Sequence, residues 1–233
     1  MEVSTDGPLA KRWEALLARI PPELRSRATQ AVSEVLGRLE QDLQEEISFH
    51  VDREVDALVA DLKSDRALVR DAAIARLAVI GTRAVERLTQ LAIDSSAPAI
   101  ARASAMRALE GIEDSRRLET ASTLVNDPEV TVAIAAVALL RPALTGRRGV
   151  ALVDRLTSVA LDQARAEHVR EAAIRALADL GPRTVAPLLT ALSSDANELV
   201  RSTAVRLKSG DQQAPENPAT VIAAATQGAP PDD

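Results

Sequence analysis

Val69–Leu91, VRDAAIARLAVIGTRAVERLTQL, decides the fold because the chain repeats it. One hundred residues downstream lies Val169–Ala191, VREAAIRALADLGPRTVAPLLTA, which is identical at 11 of 23 aligned positions without a gap. The shared positions include Arg, Gly and Val, not only the abundant Ala and Leu. Self-similarity at a fixed period is typical of a stacked-repeat protein.

The composition predicts that the repeats are helical. Hydrophobic residues make up 46% of the 233-residue chain, yet Trp13 and Phe49 are its only aromatic residues. Ala, Leu and Val supply the apolar surface instead, and Ala and Leu are strong helix formers. We therefore expect an all-α fold, in which the repeat array counts as one elongated domain.

Charge and residue usage exclude several classes of protein. The chain has no Cys, which excludes disulfides and cysteine-ligated metals. No apolar run approaches the length of a membrane span, so we expect a cytoplasmic protein without membrane association. Twenty-five of the 28 basic residues are Arg, which indicates a GC-rich bacterial genome. The net charge of −6 is uneven, because residues 34–65 are strongly acidic and residues 66–208 are mildly basic.

The N-terminal quarter has a long helical pattern. We expect disorder over residues 1–8, a short helix over Leu9–Ile20, and a long helix over residues 23–63 that either continues or breaks near Ser48–His50. Residues 9–63 then form either a helical cap along the array or a coiled-coil segment that pairs two copies into a homodimer.

The array itself spans residues 56–208. The spacing of apolar residues predicts paired helices, followed by a disordered acidic tail over residues 209–233. The predicted first helices are Leu68–Ile80, Ile100–Ile112, Thr131–Ala143, His168–Leu180 and Leu199–Leu207, and the predicted second helices are Arg83–Ile93, Arg116–Val125, Val150–Leu161 and Thr184–Leu192.

The repeated motif resembles that of HEAT repeats, in the short bacterial form also found in phycobilisome-lyase-like proteins. It reads Asp65…Val69-Arg70-x-Ala72-Ala73-Ile74-x-x-Leu77-x-x-x-Gly81 and recurs with the same residues from Val169 to Gly181. The resemblance implies a right-handed α-α superhelix of the HEAT/armadillo type. It also implies that the recurring Arg pairs with an Asp in the preceding inter-repeat turn, here Asp65 and Asp195. The third unit departs from the motif with Ala133 in place of the Arg.

The residues give little support to a catalytic function. The only histidines are His50 and His168, and neither belongs to the His-Glu dyads that the HEAT-repeat deoxyhypusine hydroxylases require. The HEAT-like alkylpurine DNA glycosylases use aromatic residues, and none occurs between residues 50 and 233. We therefore expect no catalytic residues, no metal and no cofactor.

One set of residues is a candidate binding surface, because its members all fall at the turn between the first and second helix of successive units. We call this set the Arg ridge: Arg83, Arg116, Arg117, Arg147, Arg148 and Arg183. Guanidinium groups bind carboxylates and phosphates through paired hydrogen bonds.

The function that we predict is a non-catalytic scaffold or adaptor for protein partners, which would dock on the concave surface of the second helices or on the Arg ridge. The alternatives are a protein that binds the nucleic-acid backbone through the Arg ridge and, least favoured, a lyase- or glycosylase-like enzyme. We do not expect nucleic acid as the main partner.

Overall fold

A computed structural model describes residues 12, 14–16, 18–147 and 149–210. No strand occurs in these ranges, which confirms the all-α prediction. The predicted disordered ends, residues 1–8 and most of 209–233, and most of the predicted helix Leu9–Ile20 lie outside the described residues. The described helices are α1 (Pro22–Asp61), α2 (Ala67–Ile80), α3 (Val85–Ile93), α4 (Ala99–Glu110), α5 (Arg116–Leu124), α6 (Val130–Leu140), α7 (Gly149–Leu161), α8 (Glu167–Ala178), α9 (Pro182–Leu192) and α10 (Glu198–Lys208), with 3₁₀ turns at Gly81–Ala84 and Arg141–Thr145.

The paired helices follow the predicted order. The first helices are α2, α4, α6, α8 and α10, and the second helices are α3, α5, α7 and α9. Their bounds agree with the prediction to within a few residues. The largest difference is in the third unit, where α6 ends at Leu140 and the next five residues form a 3₁₀ turn. Pro142 lies in this turn, and proline cannot donate the hydrogen bond that would continue an α-helix.

Helix α1 is one continuous helix of 40 residues, without the break that we considered near Ser48–His50. Pro22 occupies its first position, where the missing N–H costs nothing. The chain divides into two compact units, one ending at Glu54 and one beginning at Val55. The last turns of α1 therefore belong to the second unit, in which Val55 and Leu62 are buried.

The second unit is organised around its first helices, which pack in chain order from α2 through α10. Small residues permit the close approach, since Ala101, Ala105 and Ala108 on α4 are all fully buried. Among the described second helices only α3 and α5 pack against each other to a comparable degree. Whether the second helices line a concave face stays a prediction.

The repeated motif predicts that Met106, Val137, Ile174 and Val205 fill the seam between layers and that Ala72 lies where neighbouring helices approach closely. Met106, Val137 and Ile174 are buried as predicted. The predictions for Ala72 and Val205 are wrong, because Ala72 is exposed on the first layer and Val205 is exposed on the last described helix. End layers have a neighbour on one side only, so the same motif position stays in solvent.

The two motif glycines have positive φ angles. Gly81 and Gly181 have φ angles of 75° and 94°, in the region where a side chain is disfavoured. In each case the chain turns there from a first helix into the following second helix.

Candidate interaction surface

The described members of the Arg ridge all lie at turns between a first and a second helix, as predicted. Arg83 lies in the 3₁₀ turn before α3, Arg116 and Arg117 begin α5, Arg147 precedes α7, and Arg183 lies in the first turn of α9. Arg148 lies outside the described residues.

Arg116 is already neutralised within the array. Its Nε and Nη2 donate to the Asp114 carboxylate at 3.1 and 2.8 Å, and its Nη1 lies 3.8 Å from Glu86 Oε2. The Arg116 side chain and the Arg116 backbone N–H both donate to Asp114, and these bonds lower the Asp114 pKa to about 2. Asp114 therefore stays charged at neutral pH and holds Arg116 at the start of α5.

The other ridge residues differ in whether their guanidinium groups have hydrogen-bond partners. Arg117 Nη1 donates to the Glu110 carbonyl oxygen at 2.7 Å, which anchors this side chain at the end of the preceding helix. Arg83, Arg147 and Arg183 are exposed and make no hydrogen bond or ion pair within the described part of the chain. Three of the predicted residues therefore retain their donors for a ligand.

The recurring Arg of the motif is structural. Arg102, on α4, is 4% exposed, and its Nε donates to the Ala92 carbonyl oxygen at 3.0 Å, at the end of α3. Both Nη atoms donate to the Asp127 carboxylate in the turn before α6, one of them at 3.1 Å. One guanidinium group thus joins α3, α4 and the turn between α5 and α6.

Arg170, on α8, repeats this arrangement with partners at the same spacing along the chain. Its Nε donates to the Ala160 carbonyl oxygen at 2.9 Å, and its Nη atoms donate to Asp195 at 3.1 and 2.5 Å. Each Arg therefore binds a carbonyl ten residues before it and an Asp 25 residues after it. We call these two networks the Arg clamps.

The clamps correct the pairing that the family resemblance implied. Arg170 uses the Asp of the following inter-repeat turn, so the Asp195 carboxylate is occupied from the layer before it. Arg201 binds the Asp195 backbone carbonyl at 2.6 Å instead, and Arg70 likewise binds the Ser64 carbonyl at 2.7 Å. Arg170 also lowers the pKa of Asp195. The same Asp195 carboxylate accepts a hydrogen bond from the Asn197 backbone N–H at 2.9 Å, which fixes the turn before α10.

The third unit lacks the motif Arg, and a different residue supplies a guanidinium group between the neighbouring turns. Ala133 is buried at the motif position of α6. Arg165, in the turn between α7 and α8, donates to the Val125 carbonyl at 3.2 Å, to Asn126 Oδ1 at 2.6 Å and to Asp162 at 3.3 Å. It therefore connects the turn after α5 with the turn after α7.

A polar cleft of about 350 Å³ lies beside Arg165. Its lining residues come from the turn after α5, from α7 and from the turn that follows α7: Asn126, Asp154, Arg155, Ser158, Val159, Asp162 and Arg165. Arg155 Nη1 also donates to the Ser122 carbonyl oxygen on α5 at 2.5 Å. Two guanidinium groups and two carboxylates balance each other here.

Neither histidine belongs to a recognisable catalytic arrangement. His50 lies 3.9 Å from Glu46, and His168 lies 3.9 and 4.0 Å from Glu167 and Glu171, with all of these contacts on exposed imidazoles. No group of three or more His, Cys, Asp and Glu side chains within the described ranges could hold a metal ion. None of the helices described here is long and apolar enough to cross a membrane.

Comparison with known proteins identifies the repeats. The family model described as "HEAT repeats" matches residues 118–207. Residues 118–207 are therefore HEAT repeats. A search of curated proteins found no significant match.

Solved structures agree with this HEAT-repeat assignment at the level of the fold. The chain is similar to the structure of the complex of CpcE and CpcF of phycocyanin lyase from Nostoc sp. PCC7120, with 22% identity, a TM-score of 0.54, and coverage of 66% of this chain and 97% of that one. Human deoxyhypusine hydroxylase in complex with glycerol also matches, with 16% identity over 72% of this chain and 99% of that one, but its TM-score of 0.23 is too low to support a common fold.

The HEAT repeats contain polar residues that the sequence did not single out. Arg155 and Arg165 line the cleft, yet neither occupies a motif position. The available signal was the loss of the motif Arg at Ala133, combined with the longer step between the third and fourth units. Arg165 lies among the additional residues that lengthen the turn between α7 and α8.

Proposed function

We propose that the HEAT-repeat array is a cytoplasmic protein-interaction scaffold, without catalytic activity of its own, that docks acidic segments of partner proteins on the Arg ridge. The observation behind this proposal is that Arg83, Arg147 and Arg183 occupy equivalent turns and are exposed. Their guanidinium donors suit paired hydrogen bonds to carboxylates.

The Arg clamps support a scaffold because they hold successive layers of the array together, at the opposite end of the first helices from the ridge. Arg102 and Arg170 each join an element on either side of their own helix. A ridge on a rigid support loses less conformational entropy on binding than the same side chains on mobile loops.

The clamps also support a role without catalysis. The most buried charged side chains, Arg102 and Arg170 with Asp127 and Asp195, are paired with each other and with backbone groups. These groups serve the stacking of the helices. The structural neighbour is from a phycocyanin lyase, but 22% identity supports a common fold and not a common activity.

The proposal can be tested by affinity capture from the source cells. One variant combines Arg83→Glu, Arg147→Glu and Arg183→Glu. Its matched control combines Lys63→Glu, Arg206→Glu and Lys208→Glu, which reverse three exposed charges away from the ridge. We expect the ridge variant to lose the partners that the wild type and the control retain, and captured partners to elute with rising salt because salt screens exposed charges.

Two results would count against this function. If both variants capture the wild-type partners equally, the Arg ridge is not the docking surface. If nuclease treatment removes what the wild type captures, the ridge binds a nucleic-acid backbone, for which phosphate contacts are the main source of affinity.

A further inference from the structure

Helix α1 has a row of large apolar side chains that face water. Leu36, Leu39, Leu43 and Ile47 are each between 52% and 57% exposed, and Val32 and Val51 at the two ends are half-buried. At 100° per residue these six side chains fall within about 120° of the helix circumference. We call them the α1 stripe: Val32, Leu36, Leu39, Leu43, Ile47 and Val51.

Such a stripe is unusual on a helix in which Val55 is the one buried residue. Long helices obtain most of their stability by packing an apolar face against another element. Scattered exposed apolar residues are common, but a continuous row on one face indicates a binding surface.

The arrangement of the stripe is almost the same when it is read in reverse, which favours a second copy of this chain as the occupant. About an axis between residues 41 and 42, Val32 corresponds to Val51 and Leu36 to Ile47. Leu39 and Leu43 lie within one residue of equivalent positions. A two-fold interface requires this property, since each patch must complement itself.

The reversed symmetry implies an antiparallel pair, because only that orientation brings Val32 and Leu36 of one copy beside Val51 and Ile47 of the other.

Charge favours the same orientation. The centre of α1 is acidic in either orientation, because Glu40, Asp42 and Glu46 lie next to the stripe near the axis. The ends differ: residues 22–33 contain Arg25 and Arg27 with one carboxylate, and residues 50–61 have an excess of carboxylates. An antiparallel pair places these unlike ends together, whereas a parallel pair places the acidic ends together.

We propose that two copies of this chain form an antiparallel dimer through the α1 stripe. Val32 of each copy lies opposite Val51 of the other, and Leu36 lies opposite Ile47. The dimer goes beyond the docking function of the Arg ridge, so either proposal can fail without the other. Each α1 has ten carboxylates and four Arg side chains, so net repulsion between the copies outweighs the attraction of the unlike ends. Salt screens this repulsion, so the dimer tightens as salt rises, which is opposite to binding on the ridge.

The first test is the mass of the full chain in solution. We expect light scattering to give twice the chain mass of 24.7 kDa. The variant Leu39→Glu with Leu43→Glu should give one chain mass. The control variant Gln30→Glu with Gln41→Glu adds the same charge to the opposite face of α1 and should remain dimeric. Circular dichroism checks that both variants keep their helices.

The second test determines the orientation of the two helices. Because the chain has no native Cys, only the introduced residues can cross-link. Leu36→Cys and Ile47→Cys are prepared as separate single variants and then mixed under oxidising conditions. A disulfide requires Cα atoms within about 7 Å, and in the proposed pair two copies of residue 36 lie about 16 Å apart. Only the mixture should then cross-link.

Each other outcome overturns the proposal. A wild-type monomer shows that no second copy binds the stripe. A dimer that persists in the stripe variant shows that another surface is used. Cross-linking of either single Cys variant with itself shows a parallel pair or a different register.

Discussion

Arg170 illustrates why one buried charge can determine how a layer stacks. Its side chain is 3% exposed and that of Asp195 is 5% exposed, so both have lost their water. A buried pair of this kind stabilises the fold only while both partners are present, since removing one leaves an uncompensated charge. The pair Arg141–Asp179 has the same bidentate geometry, but its side chains are 52% and 49% exposed.

These two pairs provide a matched comparison. We expect Asp195→Ala to lower the free energy of unfolding by about 3–5 kcal/mol, because Arg170 stays buried without a counter-charge. Asp179→Ala should lower it by no more than about 1 kcal/mol, because water solvates Arg141. Urea denaturation of both variants measures the difference. Equal losses would show that burial does not set the strength of the clamp.

The same clamp predicts how stability changes with pH. Arg170 holds the Asp195 pKa below its ordinary value of 3.8, so the carboxylate binds a proton less readily in the folded state than in the unfolded state. Its contribution to stability is therefore complete above about pH 4 and is lost as the pH falls through the folded pKa. The difference in unfolding free energy between wild type and Asp195→Ala should stay constant from pH 7 to 5 and shrink below pH 4. Urea titrations at each pH measure this difference, and a difference that grows on acidification would contradict the assigned pKa direction.

At the scale of the helices, the third layer differs from its neighbours. Helix α6 has Ala133 where α4 and α8 have Arg102 and Arg170, so no clamp extends from it. Arg165 supplies three hydrogen bonds from the turn before α8. Arg165 therefore joins the turns on either side of this layer, although it does not belong to α6.

This replacement can be tested at Arg165. We expect Arg165→Ala to lower the unfolding free energy by about 1–3 kcal/mol, because the Val125 carbonyl and Asn126 lose their donors. Arg206→Ala is the control, since Arg206 is exposed on the last described helix and should change stability by less than about 0.5 kcal/mol. Chemical denaturation measures both. A neutral Arg165→Ala variant would show that the turns hold their positions without it.

Two glycines give opposite predictions for the elements that contain them. A Cβ on Gly149, at the start of α7, would lie 2.0 Å from the Leu144 carbonyl oxygen, whereas one on Gly37 within α1 meets nothing within 4 Å. Gly149→Ala should therefore destabilise by about 1–3 kcal/mol through the backbone clash. Gly37→Ala should stabilise α1 by about 0.5–1 kcal/mol. Thermal unfolding followed by circular dichroism compares the two, and a stabilising Gly149→Ala would refute the close approach.

The helices could be predicted from the sequence, and the contacts between them only in part. Apolar spacing, Gly81 and Gly181 specify where helices begin and end, because these signals are local. The partner of Arg170 is 25 residues away, and its choice between the preceding and the following turn depends on how the layers stack. The role of Arg165 depends in the same way on a turn 40 residues earlier in the chain.

For the whole molecule, the stacking order determines which parts are most stable. Helices α4 and α6 pack between layers on both sides, whereas α10 is the last described layer and leaves Val205 exposed. In a stacked array, stability is approximately the sum of each unit and its contacts with its neighbours. The inner layers therefore have the most contacts to lose, and the ends have the fewest.

Hydrogen exchange of the full chain should follow this order. We expect the slowest amide exchange in α4 and α6, faster exchange in α10, and fast exchange over residues 22–54 of α1 at low protein concentration, because local opening costs least where fewest contacts break. If two copies pair through α1, protection of residues 22–54 should rise with protein concentration while protection of α4 and α6 stays constant. Mass spectrometry of peptic fragments at two concentrations resolves these regions. Uniform exchange across the array would mean that the layers unfold as one unit, and the stepwise additivity expected of stacked repeats would not apply to this chain.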